Sequence, residues 1–145
     1  MNKNAISSLK IIFDSLKKAQ FLTEKLCAKT KEPKLLIYAV EEIYIAQKEL
    51  AKLLLQEKST KDFKKNINLL KEQGKIQEKY LQVLEEVHLY QEQKKRAVTE
   101  FVRKDSYVIC DNEYRSHILL VEEVNLWILQ TKKIIKINYT KRGKH

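Results

Sequence analysis

Glycine occurs twice and proline once in 145 residues, so the chain has almost none of the residues that turn a sandwich or barrel. The same scarcity excludes a doubly wound nucleotide-binding fold, whose phosphate loops need closely spaced glycines. Cysteine is limited to Cys27 and Cys110, which form no CxxC pair and no disulfide framework. Both are expected to be small, semi-buried thiols in a reducing compartment. Long apolar runs are missing as well: the longest without a charge is Leu35 to Val40, against the ~20 residues of a spanning helix. The apolar stretch Ile11-Ile12-Phe13 lies between Lys10 and Asp14 and is too short for a secretory leader. The expectation is a cytoplasmic protein with no membrane partner. Arginine is scarce, at four of the 29 basic residues.

What the chain does have is lysine and helical periodicity. Basic residues exceed the 19 acids by ten, and the excess sits in three places. Residues 1–30 carry six lysines against two acids, residues 59–97 nine bases against six acids, and residues 119–145 six against two. Lysine meets phosphate as a solvated point charge, whereas arginine supplies the planar fork that specific readout favours. A lysine-rich surface therefore points to general polyanion attraction rather than base recognition.

Apolar residues recur at three- and four-residue steps in four long segments. The first runs from about Asn4 to Ala28, with Ile6, Leu9, Phe13, Leu16, Leu22 and Leu26 as its expected core stripe. Pro33 then marks a boundary, being tolerated in a first helical turn. The second segment, about Pro33 to Glu57, carries Leu36, Val40, Ile43, Leu50, Leu53 and Leu54, and as the most apolar helix is expected at the bundle centre. Ser59-Thr60-Lys61-Asp62 reads as a turn with an N-cap. The third segment, Lys61 to about Ala97, is interrupted by Gly74 and is compatible with one kinked helix or two. From Val98 to Cys110 the chain turns β-branched and aromatic around Lys104-Asp105-Ser106, which predicts a β-hairpin. A lone hairpin is marginal in water, so it must pack on the helices or on a partner. A last helix is expected from about Ser116 to Asn138, with residues 139–145 as a basic frayed tail. The fold class is thus mainly α, one domain over residues 1–138: a bundle of four or five helices with one small hairpin before the last.

Chemistry-bearing clusters are few. Glu85 and His88 share a helical face, but a di-metal bundle needs a second such pair and two further glutamates. Cys110 and His117 supply two zinc ligands where a structural site takes four. They are also the one sequence-local Cys–His pairing, and nothing marks either as activated. No catalytic residue, metal ligand or cofactor is assigned. The candidate nucleic-acid-binding residues are Lys17, Lys18, Lys64, Lys65, Lys94, Lys95, Arg96, Arg103, Lys132 and Lys133. They are expected to form a positive face on the first, third and last helices that meets RNA, DNA or an acidic protein. Tyr107 and Tyr114 either stack bases there or pack under the hairpin. The basic first helix has a membrane-surface reading, for which burial of its apolar stripe is the simpler explanation.

The helix pattern over residues 5–138 resembles the HEPN group of small helical bundles, many of them ribonucleases or toxin partners. Their signature is an arginine followed after four to six residues by a histidine near the last helix. Here Arg103 is followed at those distances by Val108, Ile109 and Cys110, and His117 stands two residues after Arg115. Residues Glu100 to Arg115, entering a helix with Val121, Val124 and Trp127, also resemble the C-terminal part of small uncharacterised archaeal helical proteins. That resemblance implies that the hairpin is a defining element. The function expected is a non-enzymatic basic interaction module binding nucleic acid, RNA above DNA, or a partner protein. A HEPN-type ribonuclease and a self-assembling bundle or homodimer are the alternatives.

Overall fold

A computed structural model describes residues 3–140. Helix α1 (Lys3–Gln20) passes without a break into a π-helical stretch, Phe21–Cys27, and a last turn, Ala28–Thr30. At the start of the wide stretch the Thr23 hydroxyl donates to the Ala19 carbonyl at 2.8 Å, competing for an acceptor of the helical ladder. Helix α2 is Leu35–Leu55, and its first turn is closed by Leu36 N–H donating to the Pro33 carbonyl. Gly74 decides the third segment in favour of two helices, α3 (Phe63–Gln73) and α4 (Glu78–Arg96). It caps α3 at φ +67°, a left-handed conformation that costs an L side chain but not glycine. At the other end of α3 the Asp62 carboxylate accepts from Lys65 N–H, and the buried Asn66 amide ties down Thr60.

The predicted hairpin is present as β1 (Thr99–Arg103) and β2 (Ser106–Cys110), and a third strand, β3 (Ser116–Leu119), joins it. The sheet is antiparallel in the order β1-β2-β3, with Phe101 opposite Val108 and Val108 opposite Ile118. This corrects the expected start of the last helix, for Ser116–Leu119 is strand and helix α5 begins at Val121 (Val121–Ile135). Asp111 explains the return. Its carboxylate accepts from the backbone N–H groups of Glu113 and Arg115 and folds residues 111–115 into a turn tight enough to bring the chain back beside β2. A π-helical stretch, Lys136–Thr140, extends α5 through the first two residues of the expected tail; residues 141–145 lie outside the described residues.

Helix α2 lies at the centre as expected, packed against α1, α3, α4 and α5. Helices α1 and α5 touch one another, as do α4 and α5, so α1, α2, α4 and α5 close a four-helix ring. Helix α3 packs on α2 and α4. The core has two lobes. One, under the sheet, joins Ala39, Val40 and Ile43 to Val87, Tyr90, Ile109, Leu119 and Trp127. The other, at the opposite end, joins Leu16, Leu50, Phe63, Leu70, Leu84 and Ile134.

The buried face of α1 differs from the one its leucine and phenylalanine spacing predicts. Ile12, Ser15, Leu16 and Ala19 are inside, followed by Thr23 and Cys27, while Ile6 and Phe13 are 57% and 44% exposed. The α1–α2 pair is the most extensive helix contact in the molecule. Small side chains, Ser15 and Ala19 on one helix and Ala39 and Ala46 on the other, are buried along it. Close approach of two backbones gains dispersion contacts along the whole seam, which outweighs the burial of two larger residues on one side. Ser8 Oγ donates to Glu49 Oε1 at 2.9 Å and fixes the register.

Ala19→Leu is therefore expected to destabilise the fold by about 1–3 kcal/mol through overpacking. Phe13→Ala should cost no more than about 0.5 kcal/mol, as for an exposed site. Urea denaturation of the two variants measures both. Gly74→Ala has open space for its methyl group, yet should lose about 1 kcal/mol to the left-handed backbone.

Candidate nucleic-acid interface

The ten basic residues singled out in the sequence do not form one face. Lys17 and Lys18 lie on α1 and Lys132 and Lys133 on α5, two helices in direct contact. Lys132 Nζ donates to Gln20 Oε1 at 2.7 Å across that contact. Lys64 and Lys65 lie on α3, which packs on the α2–α4 side of the ring, away from the α1–α5 seam. Lys94, Lys95 and Arg96 end α4, and Arg103 ends β1. Lys94 is taken up in an ion pair with Glu100 at 3.0 Å, and Lys95 in one with Glu92 at 3.5 Å. Among the described residues, Lys17, Lys18 and Lys133 have no carboxylate within ion-pairing distance.

Two outward ridges flank the α1–α5 seam. On α1, Ile6, Lys10, Phe13, Lys17 and Phe21 follow at steps of four, three, four and four residues, which places them on one helical ridge. On α5, Leu126, Leu129, Lys133 and Ile137 repeat the arrangement. Every member is exposed, Phe21 at 54% and Leu126 at 50%. Apolar groups thus alternate with ammonium groups along the α1 ridge, and on α5 Lys133 stands between Leu129 and Ile137. The sequence reading missed this because it assigned Ile6 and Phe13 to the core. The signal that could have found it is the small-residue stripe Ser8, Ser15, Ala19 on the opposite side of the same helix.

The remaining chemistry-bearing residues are accounted for by packing. Cys110 and His117 stand at adjacent register positions on neighbouring strands, so their side chains leave opposite faces of the sheet and form no dyad or ligand pair. His117 Nε2 meets Glu123 Oε1 at 2.9 Å, and its ring packs edge-on to Tyr90. His88 packs edge-on to Phe63, while Glu85 points to solvent. Arg115 is held by Asp111 at 2.9 Å and Glu113 at 3.4 Å. Among the described residues no three His, Cys, Asp or Glu side chains are grouped to hold a metal ion, and no helix is long and apolar enough to cross a membrane. No family model, curated protein or solved structure matches this chain.

Of the two tyrosines considered for base stacking, Tyr114 is almost fully exposed at a positive φ of 65°, and Tyr107 is buried. Tyr107 donates to Glu100 Oε1 at 2.7 Å, and this with Lys94 makes a three-residue chain that fastens the sheet to the end of α4. The Tyr107 hydrogen bond, with help from Lys94, holds the Glu100 carboxyl below its usual range. Burial and the Glu100 carboxylate push the Tyr107 phenol up to about 12. A folded value above the unfolded one means a contribution present below the unfolded value and lost as pH rises through the folded one. Tyr107→Phe should cost about 1 kcal/mol at neutral pH. The gap between the variant and the parent should close as pH climbs from 10 toward about 12, measured as urea midpoints across that range. A gap that stayed constant would separate the hydrogen bond from the titration.

Proposed function

We propose that this protein is a non-enzymatic binding module that takes single-stranded nucleic acid, RNA by preference, along the α1–α5 face. The observation that supports this reading is the pair of ridges on which Lys10, Lys17 and Lys133 alternate with half-exposed Phe13, Phe21 and Leu129. Ammonium groups meet phosphates, and the Phe rings between them offer π-faces to unstacked bases. Single-stranded RNA displays such bases in its loops and ends. Arginine forks are rare in the chain, and none lies on these ridges, so binding is expected to be indifferent to sequence.

The test is an anisotropy titration with fluorescent single-stranded RNA and duplex DNA over a range of salt. With about four phosphates neutralised, affinity for RNA should fall roughly 50-fold between about 50 and 200 mM salt. The triple variant Lys10→Glu, Lys17→Glu, Lys133→Glu should abolish binding, whereas Lys64→Glu, Lys65→Glu should leave most of it. Equal loss in both variants would make the attraction a property of net charge and not of this face.

A second reading has its own observation: the ridges also carry aliphatic Ile6, Leu126, Leu129 and Ile137, which suit face-to-face self-association. Salt separates the two. An apolar dimer persists or strengthens as salt rises, seen by light scattering, while RNA binding weakens.

A further inference from the structure

An apolar hollow, open to solvent on one side, lies near the sheet where four parts of the chain meet. It has a volume of about 500 Å³, within the range of small-molecule sites. Thr23, Cys27 and Ala28 come from the end of the first helix, Pro33 from the turn before α2, Lys104 and Asp105 from the tip of the β1–β2 hairpin, and Val121 from the start of α5. Thr23, Cys27 and Pro33 are buried. The Thr23 hydroxyl donates its proton to the Ala19 carbonyl, so it offers no donor to the hollow. The rim is charged: Lys31, Lys104 and Asp105 are all exposed there, two cations against one anion.

The two rim lysines share a second property. Lys31 has φ 57° and Lys104 has φ 56°, both in the left-handed region where glycine is preferred and a side chain costs about 1 kcal/mol or more. Lys31 ends the first helix, its N–H donating to the Cys27 carbonyl at 2.8 Å, a place commonly taken by glycine. Lys104 holds the first position of a two-residue hairpin turn, another glycine position. Local stability at both places favours glycine, yet both carry an ammonium group on the rim of the same hollow. Cys27 contributes polarisable wall, and burial and the nearby Asp105 push its thiol up, so that it reacts slowly and at a rate set by access through the hollow.

We propose that this hollow binds a small amphiphilic carboxylate, with its hydrocarbon body against Cys27, Pro33 and Val121 and its carboxylate between Lys31 and Lys104. The net positive rim selects an anion, and the single negative charge of Asp105 on it disfavours a dianion. An apolar pocket with a few convergent polar groups at one end is the general form of a fatty- or aryl-acid site. Because the pocket opens at the sheet end of the molecule, and the ridges follow the α1–α5 seam, the inference stands independently of nucleic-acid binding.

Cys27 provides the readout, with Cys110 on the outer face of the sheet as an internal reference. Alkylation of each thiol is followed by peptide mass spectrometry with octanoate, octan-1-ol or octylamine present. Octanoate at about ten times its Kd should slow modification of Cys27 about tenfold and leave Cys110 unchanged. Octylamine should not protect. The double variant Lys31→Gly, Lys104→Gly, whose glycines suit the backbone, should keep or raise its thermal midpoint and bind octanoate about tenfold more weakly, at the level of octan-1-ol. The proposal fails if octanoate leaves the Cys27 rate unchanged, if octylamine protects as well as octanoate, or if the double variant binds octanoate undiminished.

Discussion

Which way α1 turns its faces depends on how closely it can approach α2. The seam between them carries the small residues Ser15, Ala19, Ala39 and Ala46, and it forms the largest helix contact in the molecule. Had Phe13 been directed inward, the two backbones would have been held apart along several turns, with the loss of many short contacts for the burial of one ring. With the small residues inside, Ile6, Phe13 and Phe21 are left outside among lysines. Everything read as an interface follows from that rotation.

The rest of the architecture conforms to the same central helix. Since α2 touches every other helix, α1 and α5 can meet on one side of it while α3 is held on another, which is why the lysine clusters of α1 and α5 come together and those of α3 do not. At the sheet end the chain uses polar fasteners in place of a second apolar layer. Lys94, Glu100 and Tyr107 form one, and Trp127 Nε1 donating to Glu86 forms another, at 3.2 Å. Inside the bundle Gln47, wholly buried, donates to Thr131, which in turn donates to the Trp127 carbonyl. Polar groups buried in this way stabilise little by themselves but penalise any other register of α2 against α5.

The helical segments, the central place of α2 and the existence of a hairpin were legible because period and composition report them directly. Gly74 was legible as a break but not as a cap, since one glycine inside a periodic segment is compatible with either outcome. The strand Ser116–Leu119 was hidden because four residues are too few for alternation to show against the helical pattern that follows, and its cause is the Asp111 turn before it. The α1 ridge was misread for a different reason. Hydrophobic spacing says which residues can be buried, whereas which of two apolar faces is buried depends on the partner's surface, and that is a tertiary property. The hollow beside Cys27 joins residues 23 to 121 and leaves no local trace beyond two lysines at turns.

The account rests on the orientation of α1, and hydroxyl-radical footprinting read residue by residue tests it most directly. In the free protein Phe13 and Phe21 should be oxidised readily and the buried Leu16, Phe63 and Trp127 slowly. Addition of single-stranded RNA at low salt should then protect Phe13 and Phe21 while leaving the exposed Tyr114, which is on neither ridge, as reactive as before. Slow oxidation of Phe13 in the free protein would place it in the core and contradict the small-residue seam, and with it the interface.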